Sequence, residues 1–498
     1  MHRKNAGFTL VEILTATALT LLLMAAAVNG FGLMAGSIST NQAIIETSGR
    51  LRSAQTRLQL DLRYATAKML PPLTPSDELG YFEIIEGPGP WSIDFPVGAQ
   101  PVDDLGAPDS SVGDVDDVLM FTCRSYGDPF VGLVGGNCAV GGVADVSGFM
   151  RGNKLYRRQL LVLPAFTPTG TTNFYGNNDV SVHQEGGQAD PRIAFAGTSP
   201  HLVANSLGDL TKRENRFAHQ PLAFPHDVRF WGQLGLPLIQ ETTNGVLWPF
   251  YGTPSPGTSI AVNGWTNRST AYFSARDFWE SPMAGFPVTV ANATSSPPDV
   301  LNNFTCTGIN NRFSEDLILD NVIGFDVKVW DTGAPVFAVA VGASQQPVLP
   351  TDAAYKTMLR DGGTVLGTGA YVDLFYTRGV GTVASGVPTG LFAGPGDPRS
   401  QLAVDPSDPA ALAQLPAVYC TWSTHYENDG IDQDGDGVVD EGSDGLDNDG
   451  VNGVDDPGER ETAPPYSVPL RSIQVKIRVF EPDSRQIREV TVVQDFVR

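Results

Sequence analysis

The N-terminal part of the chain constrains the fold more than any other feature, because it is able to cross a membrane as one helix. No charged residue occurs between positions 13 and 45, and Arg3 and Lys4 precede this run. At a rise of about 1.5 Å per residue, about 20 apolar residues near 13–34 span about 30 Å, the thickness of the hydrocarbon core of a bilayer. We therefore predict a transmembrane segment with its basic N-terminus on the cytoplasmic side.

The order of residues at this N-terminus differs from that of an ordinary secretory signal. Gly7 directly follows the basic residues and precedes the apolar run, and a single carboxylate, Glu12, lies at the start of that run. A charged side chain within a spanning helix costs roughly 2.5–3.5 kcal/mol on insertion scales, so Glu12 requires a partner. The alternative is a plain signal anchor in which Glu12 reaches the head-group region.

The string Gly7-Phe8-Thr9-Leu10-Val11-Glu12 closely resembles the processing site of type IV prepilins and type II secretion pseudopilins. The resemblance implies that a prepilin peptidase cuts after Gly7, which removes residues 1–7 as a leader, and that the new N-terminal Phe8 is methylated. In that family, Glu12 of one subunit faces the α-amino group of Phe8 on a neighbour. Attraction between these opposite charges in a low dielectric offsets the burial of Glu12.

The same resemblance implies the partners and the location of the protein. The partners are other pilins or pseudopilins in a filament, and the N-terminal helix lies in the bacterial inner membrane. The N-terminus is then cytoplasmic and the head is periplasmic.

Beyond the membrane, the chain continues as an amphipathic helix. Apolar residues recur at helical spacing, and Pro71 and Pro72 cannot continue the helix, so we predict one helix over 8–70, transmembrane over 8–36 and amphipathic over 37–70. Residues 57–65 also resemble the end of this helix in J-type minor pseudopilins and W-type minor pilins.

The remainder, 71–498, is predicted to form a β-rich, pilin-like head, so the fold class is α+β. The hydrophobic period changes to two after Pro72, as in strands. Strands are predicted at 117–122, 154–163, 321–330 and 371–376, and a terminal hairpin at 472–496. Residues 164–205 and 244–298 are interpreted as large loop insertions, because they are rich in glycine and polar side chains.

An acidic loop over 427–461 is a candidate calcium site. The pattern D-x-D-x-D-G places carboxylates on alternate residues, and Gly437 permits a sharp turn. The candidate ligands are Asp432, Asp434, Asp436, Val438 and Asp440, with Asp447 and Asp449 in a weaker copy fifteen residues further on. Ser443 occupies the position of the usual EF-hand glutamate, so the loop resembles instead the extracellular Asp/Gly calcium loops of repeat and adhesive proteins. The alternative is a solvated, disordered acidic linker.

The four cysteines, Cys123, Cys138, Cys306 and Cys420, do not have the spacing of a zinc site. In an oxidising compartment, Cys123 is expected to pair with Cys138, and Cys306 with Cys420. Four cysteines allow three connectivities, and free buried thiols are the alternative.

Charge and motifs exclude several classes of function. With 32 basic and 55 acidic residues the net charge is −23, which argues against nucleic acid as a partner of the head. The sequence contains no H-E-x-x-H motif, no G-x-S-x-G motif and no Walker-type lysine, so we expect no enzymatic activity. Two hypotheses remain: a structural minor pseudopilin or pilin subunit, and a membrane-anchored adhesin or substrate-binding tip protein with a calcium-stiffened loop.

Overall fold

The computed structural model describes residues 9–86, 117–151, 154–169, 178–185, 201–217, 289–290, 304–305, 317–342, 344–352, 354–394, 417–430, 437–482 and 484–496. The helices are α1 (Leu10–Arg63) and α2 (Tyr355–Asp361). The strands are β1 (Phe82–Glu86), β2 (Val118–Arg124), β3 (Phe130–Val134), β4 (Asn137–Gly141), β5 (Val143–Arg151), β6 (Lys154–Leu161), β7 (Val182–Glu185), β8 (His201–Ala204), β9 (Thr289–Val290), β10 (Phe304–Thr305), β11 (Leu317–Leu319), β12 (Val322–Val341), β13 (Ser344–Val348), β14 (Thr364–Val372), β15 (Ala417–Cys420), β16 (Ser472–Glu481) and β17 (Gln486–Asp495). An N-terminal helix followed by a β-rich head confirms the predicted α+β class.

Helix α1 ends at Arg63 and not at residue 70 as predicted. The amide of Tyr64 still bonds to the carbonyl of Leu60, but Ala65 then forms an antiparallel bridge with Cys123 of β2. The amide of Thr66 donates to the carbonyl of Thr122 at 2.8 Å. Pairing with a strand therefore ends the helix about two turns before the prolines would.

Two large antiparallel sheets contain most of the strands in the described part of the head, and the pairs β3-β4, β7-β8 and β9-β10 form small two-stranded sheets. The first large sheet has the order β11-β6-β5-β2-β1-β15, and the second has the order β13-β12-β16-β17 with β14 also paired to β12. The predicted terminal hairpin is confirmed, since β16 and β17 pair from Ser472 with Asp495 to Glu481 with Gln486. On β16, Ile473, Val475 and Ile477 are buried and alternate with more exposed polar residues, as the period of two requires.

Helix α1 packs on both sheets through its C-terminal half. Leu51, Ala54 and Leu62 are buried in one core with Phe121 of the first sheet and Ile477 of the second. The hydroxyl of Thr47 hydrogen-bonds to Glu481 at the end of β16, and the amide of Leu470, just before β16, donates to the carbonyl of Met69 at 3.0 Å. Strand β16 therefore runs antiparallel to α1 and begins at the membrane-distal end of the head.

Residues 117–122 and 154–163 correspond to β2 and β6, with slightly different bounds. The strand predicted at 371–376 is wrong beyond Val372, where β14 ends, because residues 374–376 form a turn. The strand predicted at 321–330 is the first half of β12, which continues to Val341 because β13 and β14 pair with its second half. Of the predicted insertions, 244–298 lies outside the described residues except for β9, while 164–205 includes β7 and β8.

The predicted disulfide between Cys123 and Cys138 is wrong, because both thiols are free. Cys123 is fully buried in β2 and faces the core, whereas Cys138 is exposed on β4. Cys420 is also a free thiol, so the predicted pairing of Cys306 with Cys420 is wrong as well, although Cys306 itself lies outside the described residues. Burial raises the pKa of the Cys420 thiol to about 11, which keeps the free thiol protonated at neutral pH.

Candidate functional site: the membrane helix and the acidic loop

The first part of α1 has the length and composition of a membrane span. Residues Leu10–Gly32 have a mean hydropathy of 2.1, and none of them is buried against the rest of the chain. Leu14, Leu22 and Phe31 each expose 60% or more of their surface. A helix that is apolar on all sides and has no protein contact fits a hydrocarbon environment and does not fit water.

Glu12 is held at the start of this span by a capping box. The carboxylate of Glu12 accepts hydrogen bonds from the amide and the hydroxyl of Thr9, at 2.9 and 2.8 Å, and the amide of Glu12 donates to the Thr9 hydroxyl at 3.3 Å. The pattern Thr-x-x-Glu is the sequence signal for this cap, and our sequence analysis did not use it. Gly7 and Phe8, the predicted processing residues, lie outside the described residues.

The acidic loop leaves the head at its membrane-distal end. Its two ends are joined by Glu427, whose carboxylate accepts the amides of Glu461 at 2.9 Å and of Thr462 at 3.2 Å. Just before the loop, the carbonyl of Trp422 accepts the amide of Leu73 at 2.6 Å, and Leu73 follows the distal end of α1. The head therefore holds the base of this loop in place by defined backbone contacts.

The fifteen-residue repeat in the sequence is also a repeat in structure. The amide of Gly430 donates to the carboxylate of Asp440 at 3.0 Å, and fifteen residues later the amide of Gly445 donates to that of Asp455 at 2.9 Å. Asp440 and Asp455 both adopt left-handed backbone conformations, with φ of 55° and 53°. The two fifteen-residue repeats of the acidic loop thus contain the same turn, closed by the same backbone-to-carboxylate hydrogen bond.

The second copy brings together three carboxylates. One ligand oxygen each from Asp447, Asp449 and Glu459 lies within 4.8 Å of the other two. Glu459 is almost fully buried and accepts backbone amides from Asn448, from Asp449 at 3.3 Å and from Asp456 at 3.1 Å. Three converging carboxylates supply the hard oxygen ligands that calcium prefers.

Glu459 was missed by the sequence analysis, because it follows the D-x-D pair by ten residues. Burial acts to raise the pKa of Glu459, but the backbone amides that donate to it lower the pKa overall. It therefore remains an anionic ligand at neutral pH. In the first copy, Asp432, Asp434 and Asp436 lie outside the described residues, Val438 is exposed, and Asp440 caps the turn described above.

Comparison with known proteins gives one match. Residues 2–28 match the family described as the prokaryotic N-terminal methylation motif, which is the prepilin-type signature. Comparison with curated proteins and with solved structures gives no match. The matched segment contains Gly7, Phe8 and Glu12 and most of the apolar span, so the N-terminus is that of a pilin-like precursor with a membrane helix.

Proposed function

We propose that this pilin-like precursor is a structural minor pseudopilin or pilin subunit of a type II secretion or type IV pilus-like filament, processed after Gly7 and assembled through its N-terminal helix. The observation that carries the proposal is the methylation motif over 2–28, joined to an apolar span with no contact to the head. The location follows from it: the helix lies in the inner membrane, the N-terminus is cytoplasmic and the head is extracytoplasmic.

The geometry of the helix start supports a role of Glu12 in assembly. Cleavage after Gly7 would free the α-amino group of Phe8 next to the Thr9 cap. Among the described residues of the same chain, the carboxylate of Glu12 accepts hydrogen bonds only from the neutral donors of Thr9. The α-ammonium group of a neighbouring subunit is a stronger partner, because hydrogen bonds between charged groups are about twice as strong as neutral ones.

Mass spectrometry of the mature N-terminus and filament incorporation of a Glu12→Ala variant test this function. We expect a mature chain that begins at methylated Phe8, and a loss of Glu12→Ala from sheared filaments of about tenfold or more. Glu46→Ala, which removes an exposed acid on the same helix, is the matched control and should incorporate normally. A mature chain that retains residues 1–7, or normal incorporation of Glu12→Ala, would refute the proposal.

We also propose that the acidic loop binds calcium. The carboxylates of Asp447, Asp449 and Glu459 would supply part of the six to eight oxygens that the ion requires. Asp432, Asp434, Asp436, Val438 and Asp440 are the proposed ligands of a first site. The support is the repeat, present both in sequence and in backbone geometry, together with the convergence of the three acids.

Calorimetric titration of the detergent-solubilised protein with calcium tests the loop. We expect a binding heat and a higher melting temperature with calcium, because a ligand that binds only the folded state stabilises it. Asp449→Asn should reduce both, whereas Asp128→Asn, an exposed acid outside the loop, should change neither. Absence of heat and of a thermal shift in the unmodified protein would refute the calcium site.

A second candidate function, a membrane-anchored adhesin or substrate-binding tip, is favoured by the membrane-distal position of the acidic loop. The loop and its calcium would then form part of the binding surface. The test is capture of the full-length protein in detergent on arrayed glycans and secreted proteins, with and without a calcium chelator. Binding that disappears on chelation supports this function, and a lack of binding to all of them counts against it.

A further inference from the structure

The outward face of α1 within the head is not covered by any described residue of the chain. Leu51, Ala54 and Leu62 face the core, while the opposite side of the same turns is open to solvent. This outer face of α1 consists of Gly49, Arg52, Ser53, Thr56, Leu60 and Arg63. Since the six residues recur at intervals of three or four, they form one stripe about 20 Å long.

Two cations on the outer face lack partners. The guanidinium groups of Arg52 and Arg63 form no ion pair and no hydrogen bond with any residue in the described part of the chain. Other arginines of the same helix are paired: Arg50 contacts Glu46 at 2.6 Å, and Arg57 lies 3.6 Å from the carboxylate of Asp61. Arg52 and Arg63 are three turns apart and point in nearly the same direction. The outer face is therefore a basic stripe on a protein with a net charge of −23.

The acidic loop has the complementary composition. Between 427 and 461, Arg460 is the only basic residue among many acids. The loop also exposes apolar side chains, with 60% of Leu446, 54% of Val451 and 56% of Val454 accessible to solvent. The outer face of α1 offers the matching apolar group in Leu60, which is 38% exposed.

We infer that the outer face of α1 docks the acidic loop of a second copy of this chain. Arg52 and Arg63 meet exposed carboxylates such as Asp444, and Leu60 meets the apolar side chains of the loop. Charge pairs of this kind fix the register between partners, and the apolar contacts remove surface from water. Two calcium ions, one at each proposed site, would neutralise four of the fourteen acids in 427–461, so the loop stays negatively charged when loaded.

The inferred contact joins two different surfaces, a loop at the membrane-distal end and a stripe along the helix. Such a heterologous contact stacks copies in a row and does not close into a symmetric dimer. Two neighbouring copies are enough to form it, so it is compatible with a subunit of low abundance. It goes beyond assembly through Glu12, because it connects the heads and needs no processing of the N-terminus.

Cysteine crosslinking between two differently tagged full-length copies in one membrane tests the contact. Both copies carry Cys138→Ser and Cys306→Ser; one also carries Thr56→Cys and the other Leu446→Cys. We expect a mixed dimer on mild oxidation. We expect about tenfold less of it when Thr56→Cys is replaced by Leu366→Cys, an exposed control position on β14, which pairs with β12.

Charge variants decide between specific docking and collision. The double variant Arg52→Glu, Arg63→Glu should lower the yield of mixed dimer about tenfold, whereas the double variant Arg52→Lys, Arg63→Lys should retain it. Salt near 1 M should also lower the yield, because it screens the charges. Asp444→Lys on the loop copy should restore crosslinking to the Glu variants. Equal crosslinking at Leu366→Cys, or crosslinking that does not change on charge reversal, overturns the inference. Both experiments can be repeated in chains that also carry Glu12→Ala. Crosslinking between the heads is then measured without filament assembly through Glu12, so failure of that assembly and failure of this contact are separate results.

Discussion

Asp61 is a buried acid on the helix face that packs against the head. Its carboxylate accepts two hydrogen bonds from the guanidinium group of Arg157 on β6, at 2.6 and 3.0 Å. The side chains of Asp61 and Arg157 expose only 5% and 11% of their surface. The pair therefore attaches α1 to the first sheet with a defined rotation. The sequence alone places Asp61 among the charged residues between apolar positions, and its partner is distant in the chain, so this contact was not predictable.

We expect Asp61→Ala to lower the free energy of unfolding by about 3–5 kcal/mol, because Arg157 would remain as a buried charge without its counterion. Glu46→Ala, which breaks an exposed pair with Arg50, should cost about 0–1 kcal/mol. Urea unfolding followed by circular dichroism measures both. Similar losses for the two variants would show that the buried pair has no special role.

Asp145 is a second buried acid, and it makes stability depend on pH. Burial raises its pKa to about 6, although hydrogen bonds donated by Tyr81 and Ser181 act to lower it. An acid with a higher pKa in the folded state binds its proton more tightly there. Proton binding by Asp145 therefore makes its full contribution to the free energy of unfolding below about pH 4, near the pKa of Asp in the unfolded chain. This contribution is lost as the pH rises through about 6, the pKa of Asp145 in the folded protein.

The Asp145→Asn variant should therefore gain stability relative to the unmodified protein between pH 4 and pH 7, by on the order of 3 kcal/mol in the free energy of unfolding. Melting temperatures across this pH range measure the difference. Asp128→Asn, at an exposed position, should follow the unmodified protein at every pH. If the difference in melting temperature between Asp145→Asn and the unmodified protein stays constant from pH 4 to pH 7, the pKa of Asp145 is not raised in the folded protein.

At the scale of elements, α1 shows which parts of a sequence pattern are reliable. The helical spacing of apolar residues predicted an amphipathic helix, and the structure buries residues of its apolar face, among them Leu51 and Leu62, against the sheets. The end of the helix was predicted from Pro71 and Pro72, but pairing of Ala65 with Cys123 ends it earlier. Local pattern determines the face because burial follows periodicity, whereas the boundary depends on a strand far along the chain.

The acidic loop shows the same division between local and distant information. The repeat and Asp447 and Asp449 were found from spacing alone, and the structure brings these two acids together. Glu459 was not found, because its carboxylate joins the cluster only when the second copy folds back. The closing turns at Asp440 and Asp455 likewise depend on backbone conformations that the residue types permit and do not impose.

Two leucines separated by half a turn test the packing of α1. Leu62 is 1% exposed in the core and Leu60 is 38% exposed on the outer face. We expect Leu62→Ala to cost about 2–5 kcal/mol in the free energy of unfolding, since it leaves a cavity between helix and sheets. Leu60→Ala should cost about 0.5 kcal/mol or less. Chemical denaturation measures both, and equal costs would mean that the helix is rotated relative to the structure.

At the scale of the whole molecule, the membrane span and the head are energetically separate. No residue of the span is buried in the described structure, and the hydrogen bond of Thr47 to Glu481 lies well beyond the span. A variant that begins at Asn41 should therefore stay in the supernatant after high-speed centrifugation and keep the melting temperature of the full-length head. A melting temperature lower by more than about 5 °C would show that the span stabilises the head.

The sequence predicted the α+β class, the span and the terminal hairpin, because each depends on a local period. It did not predict the 20-residue length of β12 or the network in which buried Glu83 pairs with Arg213 and Arg216, at 2.6 and 2.8 Å. Those features depend on which distant segments meet. Partners of that kind leave no periodic trace in a single sequence.

The opposite directions of α1 and β16 have a mechanical consequence. Hydrogen bonds join this part of the chain to the head near both ends of α1: at Thr47 of α1 with Glu481, and just beyond the end of α1 at Met69 with Leu470. Between them, Gln55 of α1 donates to the carbonyl of Thr491 at 3.2 Å. A force that draws the helix along its axis would therefore act on the head as shear. Under shear these hydrogen bonds bear the force in parallel and do not break one after another. The head therefore moves together with the helix when the helix is pulled along its axis.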